Sequence, residues 1–448
     1  MASSCNPENG TRVTNVCEHV IVPDEIADPA DNRAYDPAAD RLVVGDGNSD
    51  GALAGVRVLD LTSVVMGPFA TQMLGDIGAD VIAIEDRRGD TNRSMGAGPT
   101  PDLSGVSLNL MRNKRSVGLD LKDSRGRAAA LRMAESSDIM VTNLRPGPLG
   151  RLGLTYDDVR AVRPDIVFCQ AHGYPSDSAD ADAPAYDDII QSASGVGDLF
   201  ARQGHEPALF PTLVADKVCG LTIVSAVLAA LYHRSITGEG QRIEIPMIDV
   251  MRSFVLVEHG AQAIPEPPIG PPGYERILTP ERRPQHTDDG WINVLPYTAD
   301  HYRRLFRLGG REDLVDDERI RGRAARIANS DSLYRDVAAI LGQRTTEQWL
   351  ELCREEGIPA TRAASLEDLV DELPLAEHPT AGAFRVIPPP ARYSATPAAV
   401  RRPAPTPGEH GREVLGEVGY DDAELDDLAR DGVLFGGGDP GPSNRDRH

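Results

Sequence analysis

Cysteine is scarce in this chain, and the few cysteines form no recognisable pattern. The 448 residues contain five, an odd number at widely separated positions: Cys5, Cys17, Cys169, Cys219 and Cys353. None belongs to a C-x-x-C pair of the kind that zinc sites and redox motifs use. The sequence therefore argues against a disulfide framework and against a metal site, and it favours a reducing compartment. Cys169 falls in an apolar segment and is expected to be an inert buried thiol.

Positive charge is also in short supply. Lys and Arg number 46 against 69 Asp and Glu, which gives a net charge of −23 and a pI of about 4.8. A general nucleic-acid binder needs a basic face, so no nucleic-acid partner is expected. Small anionic ligands are not excluded, because they respond to local charge.

Long apolar runs and familiar catalytic signatures are missing as well. The longest apolar run, Val218–Tyr232, is too short to span a bilayer and predicts a buried core helix, so no membrane partner is expected. The N-terminus lacks the pattern of a secretory signal, which favours a cytoplasmic protein. The chain contains no G-x-x-x-x-G-K-[ST], G-x-S-x-G, H-E-x-x-H or post-strand G-x-G-x-x-G motif. Nucleotide hydrolysis, serine hydrolysis and zinc proteolysis lose their support.

Strand and helix patterns alternate from residue 56 onward. Short apolar strands are predicted over 56–61, 80–85, 117–121, 138–143, 165–173 and 238–247, with helical patterns between them. This alternation is typical of parallel β-α-β units and predicts an α/β protein with a large doubly wound sheet.

Composition divides the chain into five predicted regions. Residues 1–53 are acidic and polar, and we expect them to be disordered. The large α/β domain covers 54–264, a Pro-rich linker and a small α+β domain cover 265–385, and a second linker with a return to the large domain covers 386–435. Residues 436–448 are Gly-rich and predict a flexible tail.

One stretch stands out for its local charge. Residues 112–151 hold nine bases and four acids, a balance of +5 inside an acidic protein. A solvated helix face is one explanation. The other is a site for a phosphorylated ligand, held by guanidinium groups and lysines.

Three residues are candidates for chemistry, although each has an ordinary structural explanation. Asp216 opens the apolar helical run and suits a helix N-cap. Tyr186 suits a half-buried aromatic position. His172 follows a predicted strand and suits a hydrogen-bonded loop.

The segments taken together resemble the class III CoA-transferases, the family that includes formyl-CoA and carnitine CoA-transferases. The resemblance is colinear from about residue 54 to 435. It is carried by VRVLDLTSVVMGPFATQMLGDIGADVIAIE (56–85), NKRSVGLDLK (113–122), VTNLRPGPLGRLGL (141–154), YDDIIQSASG (186–195), ADKVCGLTIVSAVLAALYHRSITGEGQRIEIPM (215–247), DDGWINV (288–294) and PTPGEHGREVLGEVGY (406–420). The resemblance implies the family fold, in which two ring-shaped chains interlock as a homodimer.

The resemblance also implies a mechanism and a set of site residues. Asp216, thirty residues after Tyr186 as in the family, would attack an acyl-CoA thioester and carry first an anhydride and then a CoA thioester. The carboxylic acid acceptor would then receive CoA. CoA enters as part of the substrate, and no other cofactor is implied. The other site residues would line the pocket (Tyr186, Val64, Val65, Met66, Gly67) or bind CoA (Leu119, Lys122, Asn143, Arg151).

Two departures and two alternatives stay open. Val65 stands where some transferases carry Gln, and the glycine run of oxalate-type members is absent, which weakens formyl-CoA or oxalate chemistry in particular. An α-methylacyl-CoA racemase shares the fold, but it places a His where this chain has Tyr186, and tyrosine is a poor base at neutral pH. A non-catalytic acyl-CoA-binding protein is the second alternative, and the intact Asp216 argues against it.

Overall fold

The strands of the chain form one large sheet and two small ones. The computed structural model describes residues 51–436. Its strands are β1 (Arg57–Leu61), β2 (Asp80–Glu85), β3 (Lys114–Leu119), β4 (Ile139–Thr142), β5 (Val167–His172), β6 (Gln241–Pro246), β7 (Gln285–His286), β8 (Trp291–Val294), β9 (Ala360–Arg362), β10 (Leu375–His378), β11 (Gly382–Arg385) and β12 (Leu434–Phe435). The large sheet has the order β12-β3-β2-β1-β4-β5-β6.

The described residues form sixteen α-helices, several of which cover the two faces of the large sheet. They are α1 (Met66–Asp76), α2 (Gly105–Leu110), α3 (Ser124–Glu135), α4 (Pro146–Leu152), α5 (Tyr156–Val162), α6 (Asp187–Ala193), α7 (Val196–Arg202), α8 (Val214–Thr237), α9 (Met247–His259), α10 (Ala299–Leu308), α11 (Arg323–Ala328), α12 (Ser330–Leu341), α13 (Thr346–Glu355), α14 (Leu366–Asp371), α15 (Gly411–Glu417) and α16 (Asp422–Arg430).

Strands β1 to β6 run parallel, as the sequence predicts, and their side chains alternate between two cores. Residues such as Val58 and Val141 pack against α1, α8 and α9 on one face. Their neighbours Leu59 and Met140 pack against α3, α15 and α16 on the other. The chain therefore forms a doubly wound α/β sheet that its C-terminal helices complete. The last strand, β12, pairs with β3 and runs antiparallel to it.

Strand β3 begins three residues earlier than predicted and ends two residues earlier. Its first residues, Lys114 and Arg115, look too polar for a buried strand, but Asp60 and Asp80 neutralise them. Strand β3 ends before Asp120, whose N–H donates to Val433 O at 2.9 Å and whose side chain accepts from the Lys122 N–H. Distant carboxylates and the C-terminal strand therefore set these limits.

Residues 285–362 build a separate three-stranded antiparallel sheet, β7-β8-β9, with a core around Trp349 and Phe306.

All described residues fall in one compact unit, so the predicted domain boundaries stay a prediction. The predicted disorder of residues 1–53 and of the tail lies almost wholly outside the described residues. The described cysteines are free and buried, and burial raises the pKa of the Cys169 thiol to about 12.

Helix α8 differs from the buried core helix that the sequence predicts. It has 24 residues and a mean hydropathy of 1.8 in its most apolar window, which makes it long and apolar enough to cross a membrane on those two criteria alone. It packs on α1, β5 and β6 of the sheet, which is typical of a core helix. Yet Leu221, Tyr232 and Ile236 are exposed, so one side of α8 is buried and another is uncovered.

Candidate active site

The large sheet has a topological switch point between β1 and β4. Strand order runs outward in opposite directions from these two neighbours, and in doubly wound sheets ligands bind at the carboxyl ends of such strands. Asn143, directly after β4, joins the two loops there. Its Oδ1 accepts from the Ser63 N–H at 3.0 Å, and its Nδ2 donates to Ser63 O at 2.8 Å. The crevice that the fold predicts for a ligand is therefore lined by the β1–α1 loop.

This loop holds a residue in an unfavourable backbone conformation. Val64 has a φ of +70°, a left-handed conformation that β-branched residues rarely adopt and that costs on the order of 1–3 kcal/mol. Its N–H donates to Asp90 Oδ1 at 3.1 Å. Asp90 is buried, and burial raises the pKa of its carboxyl to about 6. Val65 and Met66, which follow, are buried at the start of α1.

Only glycine fits at position 67. A Cβ there would lie 2.2 Å from Thr62 Cβ, so no larger residue fits the turn from β1 into α1. Val65, Met66 and Gly67 thus form a closely packed corner at the switch point. Whether they line the substrate pocket stays a prediction.

Helix α8 brings Asp216 to the same corner. At Gly220 the helix approaches α1 so closely that a Cβ would lie 2.9 Å from Met66 O and 3.0 Å from Phe69 Cδ1. Asp216 precedes Gly220 by four residues and therefore lies on the same face of α8. It is the third residue of the helix, not its N-cap, which is Leu213. The N-cap explanation for Asp216 is therefore wrong.

Asp216 is a buried acid without a cationic partner. It is 7% exposed, and among residues 51–436 no side chain donates a hydrogen bond to its carboxylate. Burial raises the pKa of Asp216 to about 7, and the charge of Asp187 contributes in the same direction. An acid with this pKa is half ionised near neutral pH, and acids tuned in this way concentrate at functional sites.

Asp187 holds the start of α8 in place. Its Oδ1 accepts the N–H of Asp216 at 3.0 Å, and its Oδ2 accepts from Gln191 Nε2 at 2.5 Å. Gln191 in turn accepts the N–H of Phe210 at 2.9 Å and donates to Thr212 O at 3.3 Å. A buried carboxylate and an amide thus fix the loop before α8 and the backbone of Asp216.

Tyr186 and His172 are placed differently from their sequence expectations. Tyr186 is 67% exposed at the N-cap of α6, not half-buried, while the next residue, Asp187, is the one that reaches Asp216. His172 is buried at the end of β5, 3.3 Å from Glu244, and burial lowers its pKa. Glu244 accepts hydrogen bonds from both Ser176 N–H and Ser176 Oγ.

The four candidate CoA-binding residues fall into two groups. Lys122 and Arg151 are exposed, and neither forms an ion pair in the described part of the chain. Asn143 uses its amide on Ser63, as described above. Leu119 is 1% exposed, its side chain packs in the core, and β12 covers its strand. The two cations are therefore free for a phosphate, whereas Leu119 could offer a ligand little surface.

Ion pairs in the folded chain neutralise part of the +5 charge of residues 112–151. Arg112, Lys114 and Arg115 are buried and ion-paired with carboxylates from outside the segment. Arg125 is paired with Asp123 and Asp431. The segment's bases without a carboxylate partner in residues 51–436 are Lys122, Arg127, Arg132, Arg145 and Arg151.

Comparison with known proteins decides the family. A family model described as CoA-transferase family III matches residues 53–411, well over half of the chain. The chain belongs to CoA-transferase family III. Among curated relatives of this transferase, the probable fatty acyl-CoA transferase Rv3272 of Mycobacterium tuberculosis is 31% identical over 81% of this chain and 97% of its own length. The succinyl-CoA:glutarate CoA-transferase of Mus musculus is 30% identical, over 85% and 90%.

Solved structures share the fold of the transferase. The crystal structure of Rv3272 has a TM-score of 0.70 at 29% identity and covers 81% of this chain and 99% of that one. A CAIB/BAIF family protein from Brucella suis has a TM-score of 0.71 at 26% identity, with coverage of 82% and 99%. The resemblance inferred from the sequence, the α/β fold and the assignment as a CoA-transferase are thereby confirmed.

Sequence reasoning missed two carboxylates at this candidate site, Asp187 and Asp90. Asp187 stands beside Asp188 at a helix start, where acidic residues are common, so nothing local distinguished it. Asp90 follows a loop of ordinary polar composition, and only the structure shows its contact with Val64. A signal existed for Asp187 alone, since it directly follows the aromatic position that the resemblance had picked out.

Proposed function

We propose that this transferase moves CoA from an acyl-CoA donor to a carboxylic acid through covalent intermediates on Asp216. The observation that supports this best is the buried, unpaired Asp216 carboxylate at the start of α8. Its pKa of about 7 leaves much of it ionised at neutral pH, and burial limits the water that would hydrolyse an activated acyl group.

The proposed reaction has four acyl substitutions. The Asp216 carboxylate attacks the donor's thioester carbon, a C–O bond forms, and the CoA thiolate leaves. The thiolate then attacks the Asp216 acyl carbon of the anhydride, which releases the donor acid and leaves an aspartyl-CoA thioester. The acceptor carboxylate displaces CoA to form a second anhydride, and CoA finally attacks the acceptor's acyl carbon and frees Asp216.

Every intermediate in this sequence remains activated, so the energy of the thioester is retained. Each step is an acyl substitution that requires no electron transfer, and CoA arrives with the substrate. The N–H of Asp216 is already bonded to Asp187, so we infer that Asp187 positions the nucleophile. The free cations Lys122 and Arg151 would bind phosphates of CoA, at the carboxyl-end side of β3 and β4.

The substrate class is proposed from the relatives. The relatives include succinyl-CoA:glutarate and formyl-CoA:oxalate CoA-transferases, so we propose a short dicarboxylic acid as one substrate. Val65 and the absence of a glycine run make oxalate the weaker choice. Because this chain has Tyr186 where the racemases have a histidine, a racemase is the weaker alternative.

We also propose that two chains form the family's interlocked dimer, in the cytoplasm. Exposed apolar side chains on α8 and α9, such as Tyr232, Ile236 and Val257, support a second copy as the partner. Light scattering after size exclusion tests this, with a mass near 96 kDa expected, about twice the 48.2 kDa of one chain.

A transfer assay tests the function. Succinyl-CoA is offered with a panel of carboxylic acids, and new acyl-CoA esters are identified by mass spectrometry. We expect transfer with the unchanged chain and with the matched control Asp188→Ala, an exposed neighbour on α6, and none with Asp216→Ala. Deuterium uptake at the α-carbon of a 2-methylacyl-CoA, without any transfer, would contradict the proposal and favour the racemase. Tight CoA binding with no turnover would favour a non-catalytic binder.

A further inference from the structure

A cavity of about 60 Å³ lies in the segment 274–334, among residues that play no part in the chemistry proposed above. Three arginines line it, Arg276, Arg323 and Arg326, together with the phenol rings of Tyr302 and Tyr334. One water needs on the order of 10–15 Å³ measured in this way, so the cavity has room for a small molecule rather than a single water.

The three arginines have no carboxylate partner. Within residues 51–436 none of them forms an ion pair. Arg326 Nη1 donates to the neutral Ile320 O at 2.8 Å, and Arg276 has the neutral phenols of Tyr334 and Tyr274 as its hydrogen-bond partners. In a chain of net charge −23, carboxylates are abundant, and buried arginines such as Arg93 and Arg112 are paired with them. Arg323 is exposed and satisfied by solvent, but Arg276 and Arg326 are half-buried beside the cavity without a carboxylate, and these two cations favour an anion there.

The rest of the lining favours a carboxylate with a short apolar body. The guanidinium carbon of Arg276 lies over the Tyr297 ring, 5.3 Å from its centre, at the distance of a cation–π contact. Burial works against the charge of Arg276, but the nearby phenols of Tyr334 and Tyr274 outweigh it and raise its pKa. Rings and apolar side chains fill the spaces between the cations, which suits an organic acid better than a fully hydrated phosphate.

A helix start adds to the positive potential. Ser330, the first residue of the twelve-residue helix α12, lines the cavity, and the N-cap Asn329 makes no side-chain capping bond. The first N–H groups of a helix carry partial positive charge and bind anions. The first-turn acid Asp331 is exposed and lines the neighbouring, wider cavity instead.

We propose that this cavity is a second carboxylate site, which binds a small organic acid noncovalently through Arg276 and Arg326. It is distinct from the nucleophile, so its occupation requires neither an acyl-CoA nor Asp216.

Calorimetric titration with succinate, in the absence of any CoA ester, tests the site on the full chain. We expect saturable binding that survives in Asp216→Ala and weakens by at least about tenfold in Arg276→Gln and in Arg326→Gln, because a charged hydrogen bond is lost in each. Arg307→Gln is the matched control. It removes the same charge from an exposed position on α10 with no ion-pair partner in the described residues, and should bind as the unchanged chain does.

A second measurement needs no substitution. Phenylglyoxal modifies accessible guanidinium groups, and peptide mass spectrometry should show that succinate protects Arg276 and Arg326 but not Arg307. The proposal is overturned if succinate protects neither arginine, if both Arg→Gln variants bind as tightly as the unchanged chain, or if Arg307→Gln weakens binding equally. Tighter binding of inorganic phosphate than of succinate would overturn the carboxylate assignment. None of these results depends on whether Asp216 transfers CoA.

Discussion

Glu85 and Asp216 are both buried carboxylates near the carboxyl edge of the same sheet, but their pKa values shift in opposite directions. Burial works against the charge of Glu85, yet Arg93 at 2.6 Å and the Ser116 hydroxyl outweigh it and lower its pKa. Asp216 has burial and a second acid, Asp187, and no cation, so its pKa rises to about 7. The fold thus neutralises the acid that holds its structure and leaves the other one chemically available.

The paired region extends beneath the β1–α1 loop. Lys114, fully buried, donates to Asp60 Oδ2 at 3.0 Å, to Thr71 Oγ1 at 2.7 Å and to Pro68 O at 3.0 Å. Arg112 pairs with Asp76 at 2.7 Å. These ion pairs hold in place the turn from β1 into α1, which contains Val64, Val65 and Met66. The charges that hold this loop in place are therefore different from the carboxylate that we propose as the reacting group.

The largest expected effect is on activity. Replacing Asp216 by Ala removes the proposed nucleophile, and we expect a loss of at least about a thousandfold in the transfer rate with the fold intact. Steady-state transfer from the best donor measures it, and circular dichroism checks the fold. A variant that keeps more than a tenth of the activity would remove Asp216 from the mechanism.

Loss of the ion pair of Glu85 should affect the stability of the fold. Arg93→Met leaves Glu85 buried without a cationic partner, which should lower the free energy of unfolding by about 3–5 kcal/mol. Urea denaturation measures the change. Arg321→Met, which breaks an exposed ion pair with Glu318, is the control and should cost at most about 1 kcal/mol. An equal loss of unfolding free energy in the two variants would contradict the structural role of the buried Arg93–Glu85 pair.

Asp216→Asn should stabilise the fold, and more so as pH rises. Because the folded pKa lies above the ordinary value of 3.8, the folded chain keeps a proton between pH 3.8 and 7 that the unfolded chain releases. Ionisation therefore costs stability across this window, and asparagine avoids it. We expect a gain on the order of 1–3 kcal/mol at pH 8 and little difference at pH 4. A gain in unfolding free energy that does not vary with pH would show that the pKa of Asp216 is not raised in the folded chain.

The smallest expected effect is a shift in the pKa of Asp216, the proposed nucleophile. Asp187→Asn keeps an oxygen for the N–H of Asp216 but removes the neighbouring charge, which should lower the pKa of Asp216. Burial, the larger cause, remains, so we expect only about a threefold gain in the rate at pH 6 relative to pH 8. The pH–rate profile measures this shift. Asp188→Asn should leave the profile unchanged.

Local patterns in the sequence predicted most of the fold, but not its long-range partners. The apolar run DVIAIE predicted β2 to the residue, and the apolar run Val218–Tyr232 predicted the central part of α8. The pairing of Arg115 with Glu417 and of β12 with β3 joins residues about three hundred positions apart, and no local pattern encodes such partners.

The candidate site was predictable in part for the same reason. The resemblance selected Asp216, and the structure places it on the face of α8 whose Gly220 approaches Met66. The acid that bonds to its backbone, Asp187, lies 29 residues earlier, and the conformation of Val64 depends on Asp90, 26 residues away. Burial and pairing of charges are properties of the folded chain, so the contrast between Glu85 and Asp216 could not be predicted from composition.

Trapping the covalent intermediate tests the central claim most directly. The full chain is mixed with succinyl-CoA, quenched with hydroxylamine, and digested for mass spectrometry of the peptide that contains Asp216. We predict a hydroxamate on Asp216, absent without the donor and absent from the same peptide in Asp216→Ala. An unmodified Asp216 peptide from a chain that is transferring CoA would contradict the account, because the acyl group would then pass by a route that does not use this carboxylate.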